Sequence, residues 1–374
     1  MSKVAILIPT LNRSEFTIRQ LRYYASVKSL HPIYIGDASD KTHKEKMEEE
    51  ISKLRRDISV HYYHWPELND RQTIKKLGET ATEPFCAYSG DDDFLIPNSL
   101  TICANFLRVN PEYRTTQGKA ILLLLEDSGA YGKIKTLGPY WLRKEANVVT
   151  GRERLLDFSR NYWVPQFSVH RTEEFVKDSE HYGSVQDRSF GELVHTHKFM
   201  IRGKTRFVDC LYLVRQAHNK RYLLPDICDW IISGNWYPSY KLFINALTQA
   251  LIEVDNIEEE EASKVVKQAF WIYLSKGFRA EYNKHYGRGR NGILRQINNV
   301  AKQDPFMKSA YNFLQSAFYP SKHLLLPVLL NKRSPYHEDF MPVYKVITSL
   351  EEKFASEMLN IIEDVPMGED RFVQ

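Results

Sequence analysis

The hydrophobic and polar positions of residues 1–110 follow two alternating patterns. Short, nearly continuous apolar runs are typical of buried strands, and longer segments with apolar residues three and four apart are typical of helices. Strands are predicted over 3–8, 32–36, 58–63 and 85–88, and helices over 14–29, 41–55, 70–82 and 97–109. This alternation predicts an α/β fold with a Rossmann-like, mostly parallel sheet and helices on both faces.

The pattern changes twice in the rest of the chain. Further strands are predicted over 120–126, 131–137, 167–170 and 207–215, and helices over 151–162 and 187–199. After residue 226 the strand pattern fades, and helical spacing dominates over 236–254, 258–277, 291–302, 306–318 and 343–362. The sequence therefore predicts an α/β domain over residues 1–225 and an all-helical C-terminal domain over residues 226–374.

Three consecutive aspartates, Asp91, Asp92 and Asp93, follow the fourth predicted strand. A fold retains such a run only if a cation, backbone N–H donors or solvent offsets the repulsion. Apolar residues on both sides argue against solvent, and ligands of open α/β sheets bind where strands end. Because carboxylate oxygens suit Mg²⁺ or Mn²⁺, a metal site is predicted here, with a surface acidic turn as the alternative.

Polar residues also follow the other predicted strands and open the third helix. They are Thr10, Asn12, Arg13, Asp37, Arg71, Lys75 and Lys76. Because the carboxyl ends of parallel strands meet at one edge of a sheet, we expect them to converge on the aspartates. The alternatives are an Asx turn at Asp37, a helix cap at Asn12 or Ser14, and solvated cations on the helix. No glycine-rich loop follows the first strand, which argues against a dinucleotide site or a P-loop.

The charge, the cysteines and the apolar runs of the sequence argue against several classes of protein. The formal net charge of the 374 residues is +4, and the basic residues are scattered, which does not favour a nucleic-acid binder. The four cysteines lack metal-ligand spacing and fit a reducing compartment. The N-terminus has a strand pattern instead of a signal peptide, and no apolar run approaches the roughly 20 residues of a membrane span. We therefore expect a cytoplasmic protein, with peripheral contact to the inner face of the plasma membrane as a further option.

Four segments resemble, in the same order, motifs of the family 2 glycosyltransferases of the GT-A fold. They are 4–13, 36–39, 89–94 with Pro97 behind it, and 215–218. The resemblance implies a metal-dependent transfer of sugar from a nucleotide-sugar, with a UDP-sugar favoured, to a hydroxyl of a glycan or lipid-linked glycan. Inversion at the sugar, with retention as the alternative, and a place in bacterial surface polysaccharide synthesis are expected by the same analogy. Two positions depart from the motifs: Gly90 and Gln186 stand where many members carry acids.

The resemblance also implies roles for particular residues. It assigns Asp92, Asp93 and His218 to a bound Mn²⁺ or Mg²⁺. It assigns to the donor Pro9, Thr10, Asn12, Arg13, Asp37, Arg71, Lys75, Asp91 and Asp92. An inverting transfer needs a base for the acceptor hydroxyl, and Asp187 is the candidate, with Glu192 in reserve. The alternative for Asp187 is a carboxylate that only stabilises the start of a helix.

Two other functional classes stay open at this point. A nucleotidyltransferase shares the alternating sheet and acidic metal site, although it normally carries a glycine-rich basic loop after the first strand. A catalytically dead transferase domain serving as a glycan-binding or scaffold protein is the non-enzymatic reading. The helical domain is a candidate for contact with the acceptor, with the membrane, or with a second copy in a homo-oligomer.

Overall fold

The computed structural model describes residues 2–127, 129–141, 145–218, 225–286 and 321–349. The elements before residue 110 follow the alternating pattern of the sequence. They are β1 (Val4–Thr10), α1 (Ser14–Ser26), β2 (Ile33–Asp37), α2 (Lys41–Leu54), β3 (Val60–His64), α3 (Asp70–Thr80), β4 (Phe85–Tyr88), β5 (Phe94–Leu95) and α4 (Pro97–Val109).

The remaining elements continue the α/β part and then become entirely helical within the described residues. They are β6 (Tyr113–Leu125), β7 (Ile134–Trp141), α5 (Gly151–Arg160), β8 (Val169–Arg171), α6 (Thr172–Asp178), α7 (Arg188–Arg202), β9 (Lys204–Ala217), α8 (Ile227–Ile231), α9 (Trp236–Asp255), α10 (Glu259–His285), α11 (Ser321–Leu330) and α12 (His337–Thr348). The predicted helices 291–302 and 306–318, and the end of 343–362, lie outside the described residues.

The strands form one sheet in the order β3-β2-β1-β4-β8-β6-β9-β5, with β7 added beside β6. The four strands β1 to β4 run parallel to one another. The short β8 is antiparallel to both β4 and β6, and β9 is parallel to β6. Two reversals restore the direction, so β9 ends at the same edge of the sheet as β1, β2 and β4.

Helices cover both faces of this sheet. Along β1, Ile6 and Ile8 belong to an apolar cluster with residues of α1, α2 and α4, whereas Ala5 and Leu7 belong to a cluster with residues of α3, α6 and α7. Alternate side chains of a strand point to opposite faces, so both faces of β1 are buried. The predicted α/β fold class is confirmed: a sheet with helices on both faces, followed by helices.

The helices after residue 225 pack on the α/β part through two apolar clusters. Residues of α8, α9 and α10, among them Phe243 and Phe270, share a cluster with Leu155 of α5 and Leu193 of α7. Residues of α11 and α12 join the cluster that covers the sheet. The domain boundary at 225 stays a prediction, since apolar clusters extend across it. No helix in the described part of the chain is both long and apolar enough to cross a membrane.

Strand β6 begins well before the predicted 120–126. Its first half carries Thr115, Thr116 and Gln117, all fully buried, a composition that does not indicate a buried strand. Their polar groups are satisfied by other segments of the chain: the hydroxyls of Thr115 and Thr205 lie 2.8 Å apart, and Ser168 donates to Gln117 Oε1 over 2.8 Å. These bonds form between distant segments, so local patterning does not reveal them. The short β5 and α6 were also not predicted.

Candidate active site

The aspartate run lies in the turn that leaves β4, and it is buried. The exposed fractions are 6% for Asp91, 5% for Asp92 and 0% for Asp93. Partners within the protein must therefore offset the charges, since buried carboxylates are stable only when paired or hydrogen-bonded. The alternative of an acidic turn exposed to solvent does not hold.

The guanidinium of Arg13, just after β1, lies against two of these carboxylates and a histidine. Arg13 Nη1 is 3.2 Å from Asp91 Oδ1, and Nη2 is 2.8 Å from Asp92 Oδ2. Nε2 of His218, just after β9, lies 2.9 Å from Arg13 Nη2 and 2.8 Å from Asp92 Oδ2. The ends of β1, β4 and β9 thus bring together three predicted site residues that are up to 205 positions apart.

The pKa values of Asp91 and Asp92 are shifted in opposite directions. Burial raises the pKa of Asp91 to about 7, and the adjacent charge of Asp92 adds to this effect while Arg13 opposes it. Burial also acts to raise the pKa of Asp92, but the hydrogen bond with His218 and the charge of Arg13 outweigh it and lower the pKa. Asp92 is therefore the carboxylate that stays ionised, as a ligand for a cation requires.

Asp93 has different partners from its two neighbours. Its Oδ2 accepts from Arg215 Nε over 2.9 Å, and its Oδ1 accepts from the backbone N–H of Gln216 over 3.2 Å. The Arg215 guanidinium also lies over the ring of Phe167, 4.4 Å from its centroid. These contacts join the aspartate turn to β9. A role for Asp93 in metal binding stays a prediction.

Two side chains of α1 donate hydrogen bonds to the turn, and neither was predicted from the sequence. Arg19 is fully buried and donates to the carbonyl of Asp92 over 2.8 Å. Gln20 donates to the carbonyl of Gly90 over 2.7 Å. A signal for Gln20 existed, because it lies four residues after Phe16 and four before Tyr24, within the apolar stripe of the helix. A polar residue in such a stripe indicates a buried partner.

Gly90 lies in the aspartate turn, which leaves little room for a side chain at this position. A Cβ atom at this position would lie 2.7 Å from Asp92 Oδ1 and 3.0 Å from Asp93 Oδ2. Any side chain would collide with the two carboxylates or displace them. The absence of an acid here leaves space for the arrangement of Asp92 and Asp93.

Asp37, at the end of β2, is fully buried and has two partners. Its Oδ1 accepts from the N–H of Ser39 over 2.8 Å, which forms the Asx turn considered as the alternative, and its Oδ2 accepts from the Tyr62 hydroxyl over 2.7 Å. Burial and the charge of Asp37 raise the pKa of Tyr62, so this hydroxyl remains a donor. A role for Asp37 in donor binding stays a prediction.

The other donor-binding candidates near β1 form the adjoining loop. Thr10 donates to Asp91 Oδ2 over 2.9 Å, and Pro9 pairs with Gly36 in the sheet. Asn12, at a positive φ of 52°, donates from its N–H to Ser39 Oγ over 2.7 Å. It therefore links the loops after β1 and β2. Helix α1 has no side-chain cap, so neither Asn12 nor Ser14 acts as one.

Arg71 and Lys75 on α3 pair with groups outside the aspartate run. Arg71 Nη1 donates to the carbonyl of Val185 over 2.7 Å and to that of Asp187 over 3.2 Å, which places it at the start of α7. Lys75 lies 3.7 Å from Glu79 in a pair along the helix surface. Their predicted contact with a diphosphate stays untested.

The two candidate bases lie on α7. Asp187 is the N-cap of α7 and accepts from the N–H of Phe190 over 2.8 Å. This contact is the helix-stabilising role that the sequence analysis gave as the alternative. Glu192 accepts from the Tyr162 hydroxyl over 2.6 Å. Burial raises the pKa of Glu192, against the effects of Tyr162 and of the charge of Arg215. Both carboxylates are therefore held by partners.

The residues around Arg13 show whether the predicted divalent cation could bind here. Within the described ranges, no group of three or more His, Cys, Asp and Glu residues is arranged to hold a metal ion. The oxygens of Asp91 and Asp92 and the imidazole of His218 nevertheless surround one positive group, the guanidinium of Arg13. Such a set suits Mn²⁺ or Mg²⁺ chemically. A metal ion would have to take the place of the guanidinium.

No protein-family model matches the chain, and no curated protein matches its sequence. Among solved structures, S. aureus TarS 1–349 is similar over 95% of this chain and 92% of that chain, at 15% identity and a TM-score of 0.49, and its complex with UDP-GlcNAc gives the same values. GalNAc-T7 with UDP, GalNAc and Mn²⁺ covers 76% of this chain at 12% identity and a TM-score of 0.47, with 58% of that chain matched. Likenesses of this size assign no substrate and no residue role to this chain.

Proposed function

We propose that this chain is a glycosyltransferase that moves a sugar from a nucleotide-sugar, most simply a UDP-sugar, to a hydroxyl of a glycan or lipid-linked glycan. The observation that supports it best is the meeting of Arg13, Asp92 and His218, within 2.9 Å of one another, at the ends of three strands. This edge is where α/β sheets bind ligands. Inversion at the sugar and bacterial surface polysaccharide as the setting are part of the proposal.

The donor would lie along the loops that follow β1 and β2. In this proposal Asp37 faces the base or ribose, and the segment of Pro9, Thr10 and Asn12 lines the nucleotide pocket. Arg13 faces the diphosphate, with Arg71 and Lys75 as further cations along its path. The hydrogen bonds that link the two loops support a preformed pocket, because a rigid loop loses less entropy on binding.

Asp92 and His218 would hold Mn²⁺ or Mg²⁺, with Asp91 beside them. The cation would supply positive charge to neutralise the leaving diphosphate. Displaced from the carboxylates, the Arg13 guanidinium would be available to the phosphate oxygens, for which its planar donors are suited. Asp93 would keep the turn attached to β9 through Arg215.

In this scheme a carboxylate of the chain accepts the proton of the acceptor hydroxyl. The acceptor oxygen attacks the anomeric carbon of the sugar, and its proton passes to an oxygen of Asp187. The bond between the anomeric carbon and the diphosphate oxygen breaks, and its electron pair leaves with the nucleoside diphosphate. Glu192 is the reserve base in this scheme.

The test compares Asp92→Asn with Asp57→Asn, an exposed aspartate after α2 that serves as the control. Release of nucleoside diphosphate from UDP-, GDP- and CMP-sugars is followed with Mn²⁺ and an acceptor glycan. We expect Asp92→Asn to lose at least 100-fold in turnover, as for other groups that stabilise transition-state charge, and Asp57→Asn to keep full turnover. Circular dichroism establishes that both variants are folded.

Several outcomes would contradict the proposal. Full turnover by Asp92→Asn, or by the unsubstituted protein in excess chelator, would show that transfer does not depend on a metal ion held by Asp92. Release of pyrophosphate from a nucleoside triphosphate would point to a nucleotidyltransferase instead. Calorimetry that finds no affinity for any nucleotide would point to a binding or scaffold protein. Self-association and peripheral membrane contact through the helical region stay predictions.

A further inference from the structure

The first helices after residue 225 reach the candidate base directly. Trp230 on α8 is 5% exposed, and its indole Nε1 lies 3.0 Å from Oδ1 and 3.1 Å from Oδ2 of Asp187. Ser239 on α9 accepts from the backbone N–H of Asp187 over 3.3 Å. Arg71 of α3 donates to the carbonyl of the same residue. Asp187 is therefore held by α3, α8 and α9 as well as by its own helix.

The two oxygens of Asp187 are not equally occupied. Oδ1 accepts from the N–H of Phe190 over 2.8 Å and also from the indole of Trp230. Within the described part of the chain, Oδ2 accepts from the indole and from no other donor. Helix capping requires one oxygen, and a carboxylate held by it alone can still rotate. The bridging indole N–H restricts that rotation and leaves Oδ2 able to accept a further proton.

We propose that Trp230 is a positioning residue for Asp187, and that α8 thereby completes the active site of the preceding α/β part. The inference rests on the proposed function, in which Asp187 accepts the proton of the acceptor hydroxyl. A carboxylate aimed by a charge-assisted hydrogen bond meets that hydroxyl with less reorganisation. The helical region would then contribute to catalysis itself, beyond any contact with an acceptor or a second copy.

The surroundings of Trp230 provide a matched control. Its ring lies 4.9 Å from that of Phe190 and 6.1 Å from that of Trp236, measured between centroids. Trp236 packs in the same aromatic cluster, 5.6 Å from Phe190, but its buried Nε1 has no hydrogen-bond partner among the described residues. Replacing either tryptophan with phenylalanine removes an indole N–H from the same aromatic cluster. Only Trp230→Phe also removes a hydrogen bond to Asp187.

The kinetic test measures transfer by Trp230→Phe and Trp236→Phe over a range of donor concentrations up to saturation. We expect kcat to fall about tenfold in Trp230→Phe, the size of one charge-assisted hydrogen bond. The KM for the donor should stay within about twofold, since the donor does not contact the indole in this scheme. Trp236→Phe should keep both constants within about twofold. Equal kcat values in the two variants would overturn the inference.

A second measurement needs no turnover. With ¹⁵N-labelled tryptophan, the indole signals of Trp230 and Trp236 are assigned from the two variants. Asp187→Asn keeps a helix-capping side chain but removes the charge. We expect it to shift the Trp230 indole proton and speed its exchange with D₂O, and to leave the Trp236 signal in place. An unmoved Trp230 signal would overturn the inference. No transfer by the unsubstituted protein would instead overturn the proposed function, whatever the indole signals show.

Discussion

The substitution Asp93→Asn separates a structural from a metal-binding role within the aspartate run. The Asp93 side chain is fully buried, that of Arg215 is 9% exposed, and their nearest atoms are 2.9 Å apart. Asparagine keeps the shape of the side chain and an acceptor for the N–H of Gln216. It leaves the Arg215 charge without its partner, and a guanidinium cannot lose its proton to escape the cost.

The expected loss of stability follows from this geometry. With the charge centres about 4 Å apart and an effective dielectric constant of about 20, the attraction is about 4 kcal/mol. Breaking a buried pair by removing one partner costs about 3–5 kcal/mol in other proteins. The retained amide of asparagine offsets a small part of this. We expect the free energy of unfolding to fall by about 3 kcal/mol, or roughly a hundredfold in the unfolding equilibrium.

The assay is urea-induced unfolding followed by tryptophan fluorescence and far-ultraviolet circular dichroism. The double variant Asp93→Asn with Arg215→Met should recover much of the loss, because it removes the unpaired charge as well. A stability within about 1 kcal/mol of the unsubstituted protein, together with loss of Mn²⁺-dependent turnover, would refute this reasoning. That result would instead support the metal-ligand role predicted from the sequence.

Two further predictions concern the cation and the response to acid. Arg13→Gln should raise the affinity for Mn²⁺ alone about tenfold, because the competing guanidinium is gone; the signal of free Mn²⁺ in electron paramagnetic resonance measures this, and an unchanged affinity would contradict it. Burial lowers the pKa of His170 to about 3 and of His197 to about 4, and lowers that of His195 as well. The unfolded chain therefore binds more protons than the folded protein below about pH 6.5. The free energy of unfolding should be unaffected by these histidines above that pH, and should fall toward pH 4 by about 1.4 kcal/mol per pH unit for each of them. Urea titrations at pH 7 and pH 5 test this, and His197→Gln should flatten the dependence; an equal slope would show that His197 does not take part.

The local pattern of the sequence determined most of the elements of the α/β part. Helix α4 has the predicted bounds, Pro97–Val109, because proline at the first helical position needs no hydrogen-bond partner there. Strand β4 also has the predicted bounds, since a short apolar run followed by acids admits few other structures. The position of the acids at a strand end followed from the same pattern. These features depend on neighbours within one or two turns of the chain.

The tertiary structure decided what each polar residue contacts. Asp92 and Asp93 are adjacent and identical in type, yet one lies against Arg13 and His218 and the other against Arg215. That difference depends on the direction of β9, which the insertion of β8 sets. The indole of Trp230 reaches Asp187 only because α8 packs on α7. Partners this far apart in sequence meet through burial of apolar faces elsewhere, so no local pattern of residues records which of them will pair.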